Sequence, residues 1–192
     1  MSFPLPSNPQ LVAPADIYSA VHAFVKAYAL PALPDDQIFR GWQNRGYLPS
    51  TNNEYAVITI IAHERKGTNV ETFAATDANP AGVLTSAELV LCRVQVDCYS
   101  DNDDEARRRA QNLETAARSS IGPQFFNQYG MSCNFASNAR DLSIVNGSKQ
   151  FVKRWMVELN LSFTSAFSVD LPWFDAVDIN IENVDVHHPP KE

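Results

Sequence analysis

The chain changes its hydrophobic period most clearly between residues 84 and 120. From 84 to 99 it repeats every second position. Val90, Cys92, Val94, Val96 and Cys98 face one way; Leu91, Arg93, Gln95, Asp97 and Tyr99 face the other. That pattern predicts a strand with one face in a core and one toward solvent or a partner. At Asp101 the period becomes helical. Asp101 to Glu105 supply an N-cap and an acidic first turn that complements the helix dipole. Ala106, Ala110, Leu113 and Ala117 form a narrow stripe of mostly small residues, on which a helix can lie close to a sheet. The helix is expected to end near Ser119–Ser120, before Gly122–Pro123.

A second helix is predicted from near Pro14. Ile17, Val21, Phe24, Val25 and Tyr28 lie on one stripe, and Pro31 and Pro34 end it. Residues 35–53 hold Phe39, Trp42 and Tyr47 among Gly and Asn and read as a long surface loop. Residues 54–64 are strongly β-forming with apolar groups on both faces, which predicts a central strand. The polar stretch 66–82, with Gly67, Asn79, Pro80 and Gly82, reads as an excursion between two strands, in the form of a hairpin or an arm. Residues 123–130 suggest a helical turn closing at Gly130, and 131–137 a short strand.

After a turn region with Asn146–Gly147, the segment 151–167 alternates. Phe151, Trp155, Val157, Leu159, Leu161 and Phe163 share one face, and Arg154, Glu158, Asn160, Ser162 and Thr164 the other. Leu171, Trp173 and Phe174 form an apolar knot around Pro172, and a closing strand carries Val177, Ile179 and Ile181. The order α, β, β, α, β, β, β predicts an α+β fold: a mostly antiparallel sheet of four to five strands with two main helices packed on it. The expected division is an extended, Pro-rich N-terminal arm over 1–13, a single domain over 14–186 and a disordered tail over 187–192. There is no internal repeat.

A chain of 192 residues is most simply one domain, long enough to bury a core without staples. Its net charge of −7 argues against general affinity for nucleic acid. Three cysteines, an odd number, argue against a secreted disulfide framework. Cys92 and Cys98 share a strand face about 20 Å apart, too far for a bond, so reduced, mostly buried thiols in a cytosolic setting are expected. The N-terminal stretch has neither a basic region nor an apolar run, so no signal peptide is expected. No stretch approaches the roughly 20 apolar residues of a membrane span.

The residues carry no signature of a reaction. His22, His63, His187 and His188 pair with no Cys or carboxylate at ligand spacing. Asp101, Asp103, Asp104 and Glu105 lack the Gly and the closing Glu of a calcium loop and suit a helix N-terminus better. Arg107, Arg108 and Arg109 fan over about 200° of a helix and cannot form one phosphate site; salt bridges to acids, within the chain or across subunits, fit them better. No nucleophile elbow or catalytic cysteine pattern is present. No catalytic residue, metal or cofactor is expected, and the bottom-up reading is an α+β interaction domain.

The order of four segments takes the reading further. These are a strand ending at Asp97, the helix start Asp104–Glu105–Ala106–Arg107, the Arg154–Trp155 strand and the closing strand Ile179 to Val186. Together they resemble the neck or tail terminator proteins of tailed bacteriophages, over roughly residues 15 to 186. The resemblance implies a structural virion protein rather than an enzyme. Its copies would form a ring, commonly a hexamer, that caps the tail tube and meets the head-closure or connector ring. The sheath protein is a further neighbour, and genomic DNA passes through the lumen without specific binding. Assembly would take place in the host cytoplasm, with no membrane involved. Phe39, Trp42 and Tyr47 are candidate interface anchors, because aromatics dominate binding hot spots, with packing on their own subunit as the alternative. Arg107, Arg108 and Arg109 are candidate pairing groups between subunits or rings. The other readings are a different head–tail joining or minor tail ring protein, and a small cytosolic enzyme or ligand-binding domain.

Overall fold

The computed structural model describes residues 14–32, 34–42, 54–76, 79–145 and 151–170. The expectations for the N-terminal arm, Tyr47, the Asn146–Gly147 turn, the apolar knot, the closing strand and the tail lie outside the described residues.

The first helix, α1, spans Pro14–Tyr28. Its predicted stripe is its buried side: Ile17, Val21, Phe24 and Val25 are inaccessible to solvent. A short 3-10 helix, Asp35–Gln37, leads into strand β1, Ile38–Arg40. Strands β2, Tyr55–Thr76, and β3, Asn79–Ser100, pair antiparallel along their length. Then come helices α2, Asp103–Arg118, and α3, Ile121–Asn127. Strand β4 is Met131–Ala136, β5 and β6 are the two-residue strands Arg140–Asp141 and Ile144–Val145, and β7 is Phe151–Asp170.

The sheet order is β1-β2-β3-β7-β4, with β5 and β6 paired to the first part of β7. All pairs are antiparallel except β1 with β2. The three helices share one face. Residues of α1, α2 and α3 form one core with Ala56, Ile58, Val94, Val96, Leu159 and Leu161 of the strands. The α+β class, the antiparallel sheet and the one-sided helices match the expectation; α3 and the short strands add to it.

Three local expectations need correction. Residues 38–40 are not loop. Ile38 and Phe39 are buried, and the segment pairs in parallel with Ala56–Ile58. The chain then passes so close to β2 that the Gly41 amide donates to the Ile58 carbonyl at 2.6 Å. A Cβ at Gly41 would overlap the Thr59 hydroxyl, which is why glycine stands there. Residues 66–82 take the hairpin form expected, but β2 and β3 themselves build it rather than a connection between them. The strands run through the described part of this stretch, 66–76 and 79–82, because Thr and other polar positions satisfy a backbone ladder as well as apolar ones do. The result is a hairpin in which β2 advances about 40 Å from Glu64 to Thr76, with β7 as a third strand beside β3 as far as Val83–Asp170. Finally, β2 is central only over Ala56–Ile58. Beyond that point its outer edge has no partner strand among the described residues. Its two-faced apolar pattern arises because Ala56 and Ile58 enter the core while Tyr55 and Thr59 are buried on the opposite face.

Candidate assembly surfaces

Helix α2 begins with Asn102, whose side chain accepts from the Asp104 amide at 3.0 Å. Its small-residue stripe does what the sequence suggests. Ala106, Ala110, Leu113 and Ala117 are buried, and α2 lies against β3 and β7. The arginines beside the stripe are each held within the chain. Arg107 pairs with Asp104 at 2.7 Å and Arg108 with Glu105 at 2.6 Å. Arg108 bonded to Glu105 holds that carboxyl below its ordinary range. Arg109 differs in being buried. It bridges Glu105 and Glu54, both at 3.1 Å, and its Nη1 has no hydrogen-bond partner among the described residues. Its burial was legible: residue 109 lies three places after Ala106 and four before Leu113, on the buried side.

The face of the sheet opposite the helices carries a cluster that sequence reasoning did not assemble. Phe39 is buried there, with its ring 5.8 Å from Tyr55 in an edge-on arrangement. Tyr55 stacks on Tyr99 with centroids 4.4 Å apart and planes 13° apart. Arg154 lies over Tyr99 and bonds Asp97 at 2.9 Å, and Gln95 donates to the other Asp97 oxygen at 2.8 Å. Burial, with Tyr99 beside it, pushes the Tyr55 phenol up to about 12. The strand register makes this cluster, since Tyr55 pairs with Tyr99 and Tyr99 with Arg154. The signal in the sequence was an acid in an apolar strand, Asp97, and an arginine in another, Arg154.

Trp42 presents the opposite situation. Its side chain is 90% exposed on a backbone with φ of 58°. Non-glycine residues rarely occupy that left-handed region. It borders a cleft of about 470 Å³ that also takes in Tyr18, Arg40, Ile58, Ile60 and His63. Of the six candidate interface residues, Trp42 is exposed, Phe39 and Arg109 are buried, Arg107 and Arg108 are in local ion pairs, and Tyr47 lies outside the described residues.

Strand pairing also brings His63 Nε2 to 3.6 Å from Cys92 Sγ. Burial pushes the Cys92 thiol up to about 11, so it meets the imidazole as a thiol and not as a thiolate nucleophile. Burial also pushes Cys133 to about 11 and Cys98 to about 12, Arg109 partly offsetting the latter. All three cysteines are free and buried. In the folded protein all three should react with a thiol reagent at pH 8 at least about 100-fold more slowly than in denaturant. A time course with Ellman's reagent checks this, and one rapidly reacting native thiol would contradict it. Among the described residues no cluster of His, Cys, Asp or Glu could hold a metal ion. No described helix is long and apolar enough to cross a membrane.

What remains is surface. The hairpin projects beyond the helices, with Val70 and Phe73 exposed near its end. Two ion pairs cross its strands, Arg65 with Glu88 at 2.7 Å and Arg93 with Glu64 at 3.2 Å. At the other end of the sheet Phe135 is exposed beneath the Arg118 guanidinium, with Ile121 and Tyr129 nearby in sequence on α3 and the turn after it. A family model described as phage neck terminator protein matches residues 15–185. Among curated proteins none is matched.

Proposed function

The chain belongs to the phage neck terminator protein family, and on that premise we propose that it is a ring-forming structural subunit of the virion neck. Copies close a ring, a hexamer, that caps the last ring of the tail tube and joins it to the head-closure or connector complex. The sheath is a further neighbour, and the genome passes through the lumen without specific contacts. The subunits assemble in the host cytoplasm. The protein acts by fit and not by catalysis: one face of the ring matches the tube, the other offers no further tube site, and polymerisation stops.

The observation that carries this reading is the family match across residues 15–185. The architecture supports it. Three helices brace one face of a sheet, and the sheet extends as a bare arm with little to bind inside its own subunit. The net charge of −7 suits a channel wall that must not retain DNA. Trp42 supports it as an exposed aromatic anchor.

Disrupting the gene should leave filled heads and overlong or unattached tails in negative-stain micrographs. Normal tails of wild-type length joined to heads would rule out the terminator role. Tails that are attached but defective elsewhere would favour a minor tail protein.

A further inference from the structure

The two ends of the sheet are each other's complement. Along β1-β2-β3-β7-β4 the pairs from β2 onward are all antiparallel, so β2 and β4 run in opposite senses. If a copy is rotated about an axis roughly along the strands, its β4 arrives antiparallel to the β2 of its neighbour. The alternation then continues across the junction. A heterologous contact of this kind closes into a ring when the rotation divides the circle.

Among the described residues each edge has a short stretch without the usual charged or proline protection against pairing. Edge strands are normally blunted by charges, proline, bulges or a covering element. Residues 131–136, MSCNFA, contain no charge and no proline, and neither do residues 59–62 of β2, the stretch past β1; Glu64, Arg65 and Lys66 then charge the edge and limit it. Each stretch also has a bulge, between Ile60 and Ala62 and between Cys133 and Phe135, and Arg118 lies over Phe135 and donates to the Ala136 carbonyl at 2.9 Å. Beside each bulge stands an exposed apolar side chain, Ile61 at 40% and Phe135 at 53%. Of the other exposed large apolar groups, Trp42 lies on the β2 side and Ile121 and Tyr129 on the β4 side, whereas Val70, Phe73 and Leu89 lie along the hairpin and Leu142 follows β5. Exposed apolar groups that cluster mark interaction surfaces more than single ones do.

We infer that copies of this chain join edge to edge. Residues 59–62 on the outer edge of β2 meet β4 of the next copy, with Ile61 and Phe135 at the centre of the contact. The occupant is a second copy because it brings an edge of matching sense and apolar character. The bulges keep the shared ladder short, so side-chain packing sets the register. This inference rests on the ring reading above and names the surfaces that build the ring.

The test uses the full chain with Ile61→Lys and Phe135→Lys made separately, followed by sedimentation velocity. Wild type should sediment as an assembly well above the 21.3 kDa subunit. Each variant alone should stay monomeric, with self-association at least about 100-fold weaker. An equal mixture should form dimers and nothing larger. One variant keeps its β4 edge, the other its β2 edge, and only that junction remains. Dimers in the mixture also show that both variants are folded. If both variants assemble like wild type, the edge contact is wrong and the ring reading stands. If the mixture stays monomeric, the pairing of β2 with β4 is wrong. If the outward amides of 131–136, those not bonded to β7, exchange slowly in a monomeric variant, the chain covers its own edge and the inference fails. If wild type is monomeric at its highest soluble concentration, the ring reading fails and takes this inference with it.

Discussion

Phe24→Ala should lower the unfolding free energy by about 3–5 kcal/mol. Phe24 is inaccessible to solvent on α1 and sits where two helices meet. Its ring centroid lies 4.8 Å from Tyr28, 5.2 Å from Phe125 and 4.9 Å from Phe126, so one side chain joins α1 to α3. Removing it forfeits its transfer free energy and leaves a cavity whose aromatic walls close poorly. Domains are stable by only about 5–15 kcal/mol in total. The loss is therefore large, and for a domain of this size the melting temperature should fall by about 10 °C. Urea unfolding followed by circular dichroism measures it. A loss below about 1 kcal/mol would mean that α1 does not depend on this cluster.

Asp97→Ala should cost about as much, for an electrostatic reason. The Asp97 side chain is 4% exposed and its partner Arg154 is 23% exposed. Taking away one member of a buried pair leaves the other charged and desolvated, which costs about 3–5 kcal/mol. Gln95 also loses its acceptor. Replacing both charges by apolar groups, Asp97→Val with Arg154→Met, should recover most of that loss, because no isolated charge then remains. The same urea titration decides. If the double variant is as unstable as the single one, the pair contributes through its specific hydrogen bonds and not by cancelling charge.

Several elements were legible because the information lies within them. Helix α2 carries its own N-cap, acidic first turn and stripe, and its predicted and observed limits agree closely. The alternation of Val90 to Cys98 and of Trp155 to Phe163 gave the core faces correctly, because burial follows the pleat. The strand Ile38–Arg40 was not legible. It has three residues, and what makes it a strand is the edge of β2 sixteen or more residues later. A hairpin beyond Glu64 was among the forms expected, but the reach of its strands was obscured by its polarity, since backbone pairing of β2 with β3 and of β3 with β7 holds it and not an apolar face. The Asp97–Arg154 and Tyr55–Tyr99 contacts are products of register, which composition does not specify. Of the interface candidates, Trp42 is displayed to solvent, whereas Phe39 packs against Tyr55 of its own chain and the arginines find acids beside them. The surface proposed for a partner therefore extends from these candidates to the sheet edges.

These shifts leave the central claim in a form that an image can judge. A cryo-electron microscopy reconstruction of the virion neck is the most direct measurement. The account predicts a closed ring of this chain between the last tail-tube ring and the connector, with helices braced on one face of each sheet and neighbouring sheets meeting at their edges. A neck with no copies of this chain, or copies bound singly elsewhere on the particle, would contradict it.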